Sequence, residues 1–137
     1  MADALELEVV TPERPLLHEK VPEVEVPGKD GYIGILPGHA PLLSELGIGF
    51  LTYFIGGRRR LLAVHSGFLE VLEDHVRVLA GAAERAEEID VERARQALRR
   101  AQEQALNPSI GIDPGIALEA LQRATTRIAA AEQRTAE

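Results

Sequence analysis

Between Val26 and Leu43 the chain reads Val-Pro-Gly-Lys-Asp-Gly-Tyr-Ile-Gly-Ile-Leu-Pro-Gly-His-Ala-Pro-Leu-Leu, with four glycines and three prolines. Gly28 and Gly31 can take φ > 0 without strain. Pro27, Pro37 and Pro41 each fix φ and remove a backbone donor. Yet Val26, Ile33, Ile35, Leu36, Leu42 and Leu43 are threaded between these breakers, so this is no flexible linker. The stretch reads as two sharp turns around a short strand, Tyr32 to Leu36, on which the rest of the chain packs.

Short strand patterns surround it. Leu5 to Val9 alternates apolar and charged residues, the period of a half-buried strand, and Thr11-Pro12 stops it. Glu23 to Val26 alternates again. Phe50 to Ile55 is rich in β-branched and aromatic residues, and Gly56-Gly57 follows as a hairpin turn. Arg58 to Val64 returns, its first three residues basic. Ser66-Gly67 reads as a further turn. Phe68 to Leu72 and His75 to Ala80 form the clearest hairpin, with Leu69 and Val71 facing Val76 and Val78 across Glu73-Asp74. Many short strands with turns between them, and no long helical pattern separating them, indicate a β-sandwich or barrel with one wet face per sheet.

Near Ala82 alanine, glutamate and arginine take over. Val91, Ala94, Leu98, Ala101 and Ala105 recur at helical spacing, with Asp90 as N-cap. Asn107-Pro108 ends this helix, and Ser109 to Ile112 is the connection. Asp113-Pro114 starts a second helix, with Ala117, Ala120 or Leu121, Ala124, Ile128 and Ala131 on its apolar face. The simplest arrangement is an antiparallel hairpin. Alanine seams let helices approach closely but bury little area, so the hairpin is predicted to be weakly held and able to occupy more than one position.

The bulk numbers narrow the function. A chain of 137 residues, 45% hydrophobic and 4% aromatic, suits one aliphatic-cored domain with an appendage. Without cysteine there is no disulfide or thiolate chemistry. A net charge of −7 argues against nucleic-acid binding. The N-terminus does not read as a signal peptide, and no segment approaches the roughly 20 apolar residues of a membrane span. Any membrane association is therefore expected to be indirect, through another protein. The four histidines, at 18, 39, 65 and 75, match no zinc spacing, so no metal site is expected. His65-Ser66 with Asp74 lacks a nucleophile elbow, so no catalytic residue is assigned.

Three segments in order resemble the epsilon subunit family of the F-type rotary ATP synthase, called delta in mitochondria. They are Pro27-Gly28 with Gly34 to Leu43, Gly67 to Val71, and Val76 to Ala80 with Ala83 to Ala86. The resemblance spans nearly the whole chain. It implies an N-terminal sandwich of two five-stranded sheets, residues 1–86, followed by a C-terminal antiparallel α-helical hairpin, residues 87–137. It implies a non-catalytic central-stalk subunit whose sandwich grips the gamma subunit and the c-subunit ring, with Gly38, His39, Ala40, Pro41 and Leu42 at the partner interface. The hairpin would inhibit ATP hydrolysis when extended, its basic residues meeting the alpha and beta subunits, and release the block when folded. The location implied is peripheral, on the cytoplasmic face of a bacterial plasma membrane rather than a plastid thylakoid.

Some family members bind ATP on the folded hairpin. Their pattern is matched by Ile89-Asp90-Val91-Glu92-Arg93-Ala94, and a second element by Ala120 to Ala124 with Arg127. By that resemblance Glu84, Asp90, Arg93, Ala94, Arg123 and Arg127 form a regulatory ATP site, and no cofactor is required. Guanidinium groups at 123 and 127 share a helix face and suit phosphate oxygens. The bland reading is a charge-rich helix surface, paired within the helix as Glu92 to Arg95 or Arg99 to Glu103. One departure is Tyr32, where many relatives carry an acidic residue, so a polar contact to the ring is not carried over there. Two rivals remain: a free-standing sandwich-and-hairpin adaptor with no rotary partner, and a small enzyme using His39 or His65.

Overall fold

The computed structural model describes residues 3–107, 109 and 111–135. The chain divides into two compact units, Met1–Glu84 and Arg85–Glu137.

The first unit is built of strands: β1 Leu5–Val10, β2 Pro15–Val21, β3 Val24–Gly28, β4 Gly31–Ile35, β5 Leu42–Glu45, β6 Gly49–Ile55, β7 Arg58–Leu72 and β8 His75–Arg85. They hydrogen-bond in the order β2-β1-β8-β7-β6-β3-β4, with β5 on β7. β1 runs parallel to β8, and β1 with β2, β3 with β4, and β6 with β7 are antiparallel. The long strand β7 serves two layers. Its first half, Arg58 to Val64, pairs β6, and its second half, Phe68 to Val71, pairs β5. Counting β7 and β8 in both layers gives five strands in each, which is how eight strands make the expected two five-stranded sheets.

What bends β7 is the Ser66-Gly67 step. The two residues have φ of 56° and 106°. A Cβ on Gly67 would collide with the Leu79 carbonyl of β8. The step is therefore a bulge inside one continuous strand and not the chain-reversing turn that the sequence suggested; bulges raise local twist and re-aim a strand. The true reversal is at Glu73-Asp74, both with positive φ. Leu69, Val71, Val76 and Val78 on its two arms are all buried, as their alternation predicts.

One aliphatic core fills the space between the layers, including Leu5, Leu7 and Val9 from β1, Val24 and Val26 from β3, Leu51 from β6, and Leu62 and Val64 from β7. Strands β2 and β5 have no counterpart in the sequence reading. β2 shows buried, buried, exposed at Leu16-Leu17-His18, after a register shift at Val9/Val10, so no clean alternation marks it. β5 is four residues long and follows directly on Pro41.

The wet face of β1 carries a ladder of charge. His18 Nε2 lies 2.6 Å from Glu6, and His75 Nε2 lies 3.2 Å from Glu8. Arg77 Nε lies 3.6 Å from the same Glu8 carboxylate. The hydrogen bond with His18 holds the Glu6 carboxyl below its usual pKa. At the far end of β5, Glu45 accepts a hydrogen bond from Lys29 at 3.0 Å, and that contact raises the lysine's pKa.

The second unit opens with a 3-10 turn at Ala86–Glu88, then α1 Val91–Leu106 and α2 Pro114–Thr135. Asp90 caps α1, accepting from the Arg93 N–H at 3.1 Å. Asp113 caps α2, accepting from the Gly115 N–H at 2.7 Å. The short connection makes α2 run back along α1, and the two helices pack on each other. Pro108 and Ile110, which the sequence placed at the stop and in the connection, lie outside the described residues. The buried seam residues are Ala94 and Ala101 on α1 and Ala117, Ala124, Ala130 and Ala131 on α2. Ala105, placed on the α1 seam by its spacing, is exposed, because the seam does not continue into the last turn of the helix. The ion pair found on α1 joins Glu92 to Arg99 at 3.7 Å, two turns on, with both side chains largely exposed.

Candidate functional site

Two regions carry the residues that the sequence singled out. The first lies between β4 and β5. Leu36-Pro37-Gly38-His39 closes on a hydrogen bond from the His39 N–H to the Leu36 carbonyl, 3.1 Å, with Gly38 at φ 87°. Proline second and a positive-φ glycine third make a type II turn. His39 Nδ1 lies 2.7 Å from the Ala40 carbonyl. A carbonyl can only accept, so the proton sits on Nδ1 and the ring is locked against its own backbone. The Gly38 N–H donates to Asp74 Oδ1 at 2.7 Å, tying this loop to the β7–β8 turn.

The surface that results is apolar. Ala40 and Pro41 are exposed, and Leu36, Leu43 and Leu72 are 58%, 73% and 49% exposed. Leu42 is half-buried and packs against the core. The alternation of β5 thus turns Leu42 inward and Leu43 outward. Leu43 and Leu72 lie next to the Leu42–Val71 pair of β5 and β7, whereas Leu36 borders a depression lined by β3 and β6; none was singled out as an interface residue, and the period-two rule applied to β5 finds Leu43. Scattered exposed leucines are ordinary, but several around one rigid turn mark an interaction surface.

Tyr32, the residue that departs from the family pattern, has a structural use. Its hydroxyl accepts from the Phe50 N–H at 3.1 Å. A Cβ on Gly49 would strike that hydroxyl, so Gly49 is the partner that makes room for the ring.

The second region lies on the helices. Ile89, Asp90 and Ala94 have local structural reasons. Ile89 is buried just before the cap, Asp90 is the cap, and Ala94 is buried at the position a hydrophobic staple uses. Arg93 is the member of this pattern left exposed on the first turn. Arg123 and Arg127 are half-buried on successive turns of α2, flanking the buried Ala124. Arg93 and Arg127 stand equally far from the connection, so the antiparallel pairing brings the first turn of α1 level with this part of α2. One Asp90 oxygen, Oδ1, is engaged by the cap. Glu84 is half-buried near the end of β8, in the strand-built unit. A surface depression of about 550 Å3 lined by Arg99, Leu106 and Asn107 lies at the opposite end of α1 from Asp90.

Among the described residues no group of three or more His, Asp or Glu is placed to hold a metal. No described helix is long and apolar enough to cross a membrane.

Comparison with known proteins assigns both units to one family. Residues 4–86 match the family model for the beta-sandwich domain of the ATP synthase delta/epsilon chain. Residues 87–132 match the model for its long alpha-helix domain. The ATP synthase epsilon chain of Solibacter usitatus is 63% identical over 134 residues, covering 98% of this chain and 100% of that one. That of Koribacter versatilis is 52% identical over 103 residues, covering 75% and 72%. A chain in the mitochondrial ATP synthase OSCP/F1/c-ring structure of Euglena gracilis superposes with a TM-score of 0.81 at 21% identity, over 100% of this chain and 84% of that chain, a likeness of fold.

Proposed function

The chain belongs to the ATP synthase delta/epsilon family, and on that footing we propose that its two units divide the work of a central-stalk subunit between holding and regulating. It is a non-catalytic subunit of a rotary, membrane-associated ATP synthase. The strand-built unit holds the gamma subunit and the c-subunit ring. The surface that carries this reading is the apolar cap at the Gly38 turn, with half-buried His39, exposed Ala40 and Pro41, and Leu43 beside them on β5. A ring that turns under load needs a contact that does not yield. Here the contact loop has its own hydrogen bonds and a clamp to a second hairpin.

The hairpin is the regulatory arm. Extended, it meets the alpha and beta subunits and opposes ATP hydrolysis; folded, it releases them. ATP bound by Arg93, Arg123 and Arg127, with Asp90 accepting from the sugar or base, stabilises the folded form. Support comes from the level placement of the two arginine-bearing segments and from chemistry, since three guanidiniums can match a triphosphate. The complex sits with this subunit on the cytoplasmic face of a bacterial membrane.

Affinity purification of the tagged chain from its own membranes tests the first half. Recovery of gamma, alpha and beta subunits is expected, and recovery without them would favour a free-standing adaptor. Titration calorimetry with MgATP tests the second. One saturable site is expected, weakened about tenfold or more by Arg123→Ala with Arg127→Ala, as loss of charge-assisted hydrogen bonds requires. Unchanged affinity would remove the proposed site.

A further inference from the structure

The reversal between β7 and β8 is made by two residues, Glu73 and Asp74, with φ of 48° and 62°. Two-residue turns of this kind favour Asn-Gly or Asp-Gly, because the second position needs a positive φ that glycine adopts freely. Asp74 stands where glycine would serve the turn better. An outlier of this kind points from geometry to a use for the side chain.

That use is visible. The Asp74 carbonyl accepts from the Glu6 N–H of β1 at 2.8 Å, so its main chain is pinned to the sheet. Its carboxylate, half-buried, reaches across to the Gly38 N–H at 2.7 Å. Gly38 is exposed, and the loop around it carries two prolines that donate nothing. The loop closes on itself through the His39 to Leu36 bond and the His39 ring. The β5–β7 ladder anchors the C-terminal end of the loop from Leu42 onward, and one charge-assisted hydrogen bond ties the Gly38 turn itself to the β7–β8 turn.

We infer that Asp74 is a positioning residue for the partner interface, its carboxylate fixing the Gly38 turn so that Ala40 and Pro41 are presented together with Leu72 of the neighbouring hairpin. The inference rests on the reading of residues 38–42 as the interface. It adds a residue outside that segment on which the interface depends. Asp74→Gly removes the clamp and relieves the turn. Asp74→Asn keeps an acceptor oxygen and tolerates the left-handed backbone.

The experiment uses full-length variants and the cognate ATP synthase stripped of this chain. Two quantities are read: the exchange rate of the Gly38 amide in the free chain, and the dissociation constant for rebinding. Asp74→Gly is expected to speed Gly38 exchange, to leave the melting temperature equal or higher, and to weaken rebinding about tenfold, the loss of one hydrogen bond to a charged acceptor. Asp74→Asn is expected to restore rebinding to within about threefold of the native chain, since it keeps the acceptor. Pro41→Glu serves as the direct test of the interface. If Pro41→Glu abolishes rebinding while Asp74→Gly changes neither exchange nor affinity, the positioning role is overturned and the interface stands. If Pro41→Glu rebinds at full strength, the interface reading fails and the role of Asp74 falls with it.

Discussion

The two units of this chain are built to different standards of packing. The strand-built unit buries leucine, isoleucine and valine: Leu5, Leu7, Ile35, Leu51, Leu62 and Leu69 are among its fully buried side chains. The buried seam of the helices is alanine throughout. A buried leucine removes several times the apolar area of an alanine from water, and burial stabilises by roughly 25 cal/mol per Å2. The contrast teaches where rigidity is placed. The loop read as the partner contact stands on the well-filled unit, and the two helices of the segment read as the regulator meet through small side chains.

The contrast can be broken most decisively from the core side. Leu62→Ala is expected to destabilise the strand-built unit by about 2–5 kcal/mol, measured by urea unfolding, as transfer and cavity losses add. A loss below 1 kcal/mol would mean that the core is not tightly filled. The seam answers differently. Ala124→Leu forces a larger side chain into a close helix contact, and the expected cost is about 1–3 kcal/mol in the helical signal, with the strand signal unchanged. If the helices accepted leucine without loss, the seam would not be close-packed.

Much of this contrast was legible in the sequence. The helical faces apart from Ala105, both caps and the Glu73-Asp74 hairpin follow from spacing and turn chemistry, and the structure has them. Strand β2 was not legible, because Leu16-Leu17 are buried together where the chain bends after Val9, and period-two reasoning needs alternation. The unity of β7 was not legible either. A serine-glycine step reads as a turn, and only the approach of the Leu79 carbonyl to Gly67 shows that it is a bulge. For the candidate interface, residues 38–42 were named by the family resemblance that the proline-glycine pattern carries. The sequence could not find Asp74, thirty-six residues away, because no local rule joins a hairpin turn to a distant amide.

Smaller effects sharpen the picture. Asp90→Ala removes the α1 cap and is expected to cost about 1 kcal/mol of helix stability. Asp90→Asn keeps the cap. If MgATP binding falls with both variants, the carboxylate has a ligand role beyond capping; if it falls only with alanine, the cap accounts for the effect. The smallest expected effect lies on the β1 ladder. The Glu6 pKa is lowered in the folded chain, so its contribution is present above the unfolded value near 4.5 and lost as pH falls through the folded value. Side-chain NMR titration is expected to show Glu6 ionising below its ordinary value, and Glu6→Gln to flatten the acid limb of the stability curve slightly.

The most direct measurement removes the hairpin. A chain ending at Asp90 is expected to keep the near-native strand signal and cooperative unfolding. Added to cognate ATP synthase stripped of this subunit, it is expected to rebind with an affinity close to that of the full chain, while hydrolysis is no longer restrained by the missing arm. A truncated chain that fails to fold, or that folds and does not rebind, would contradict the division of holding and regulating between the two units.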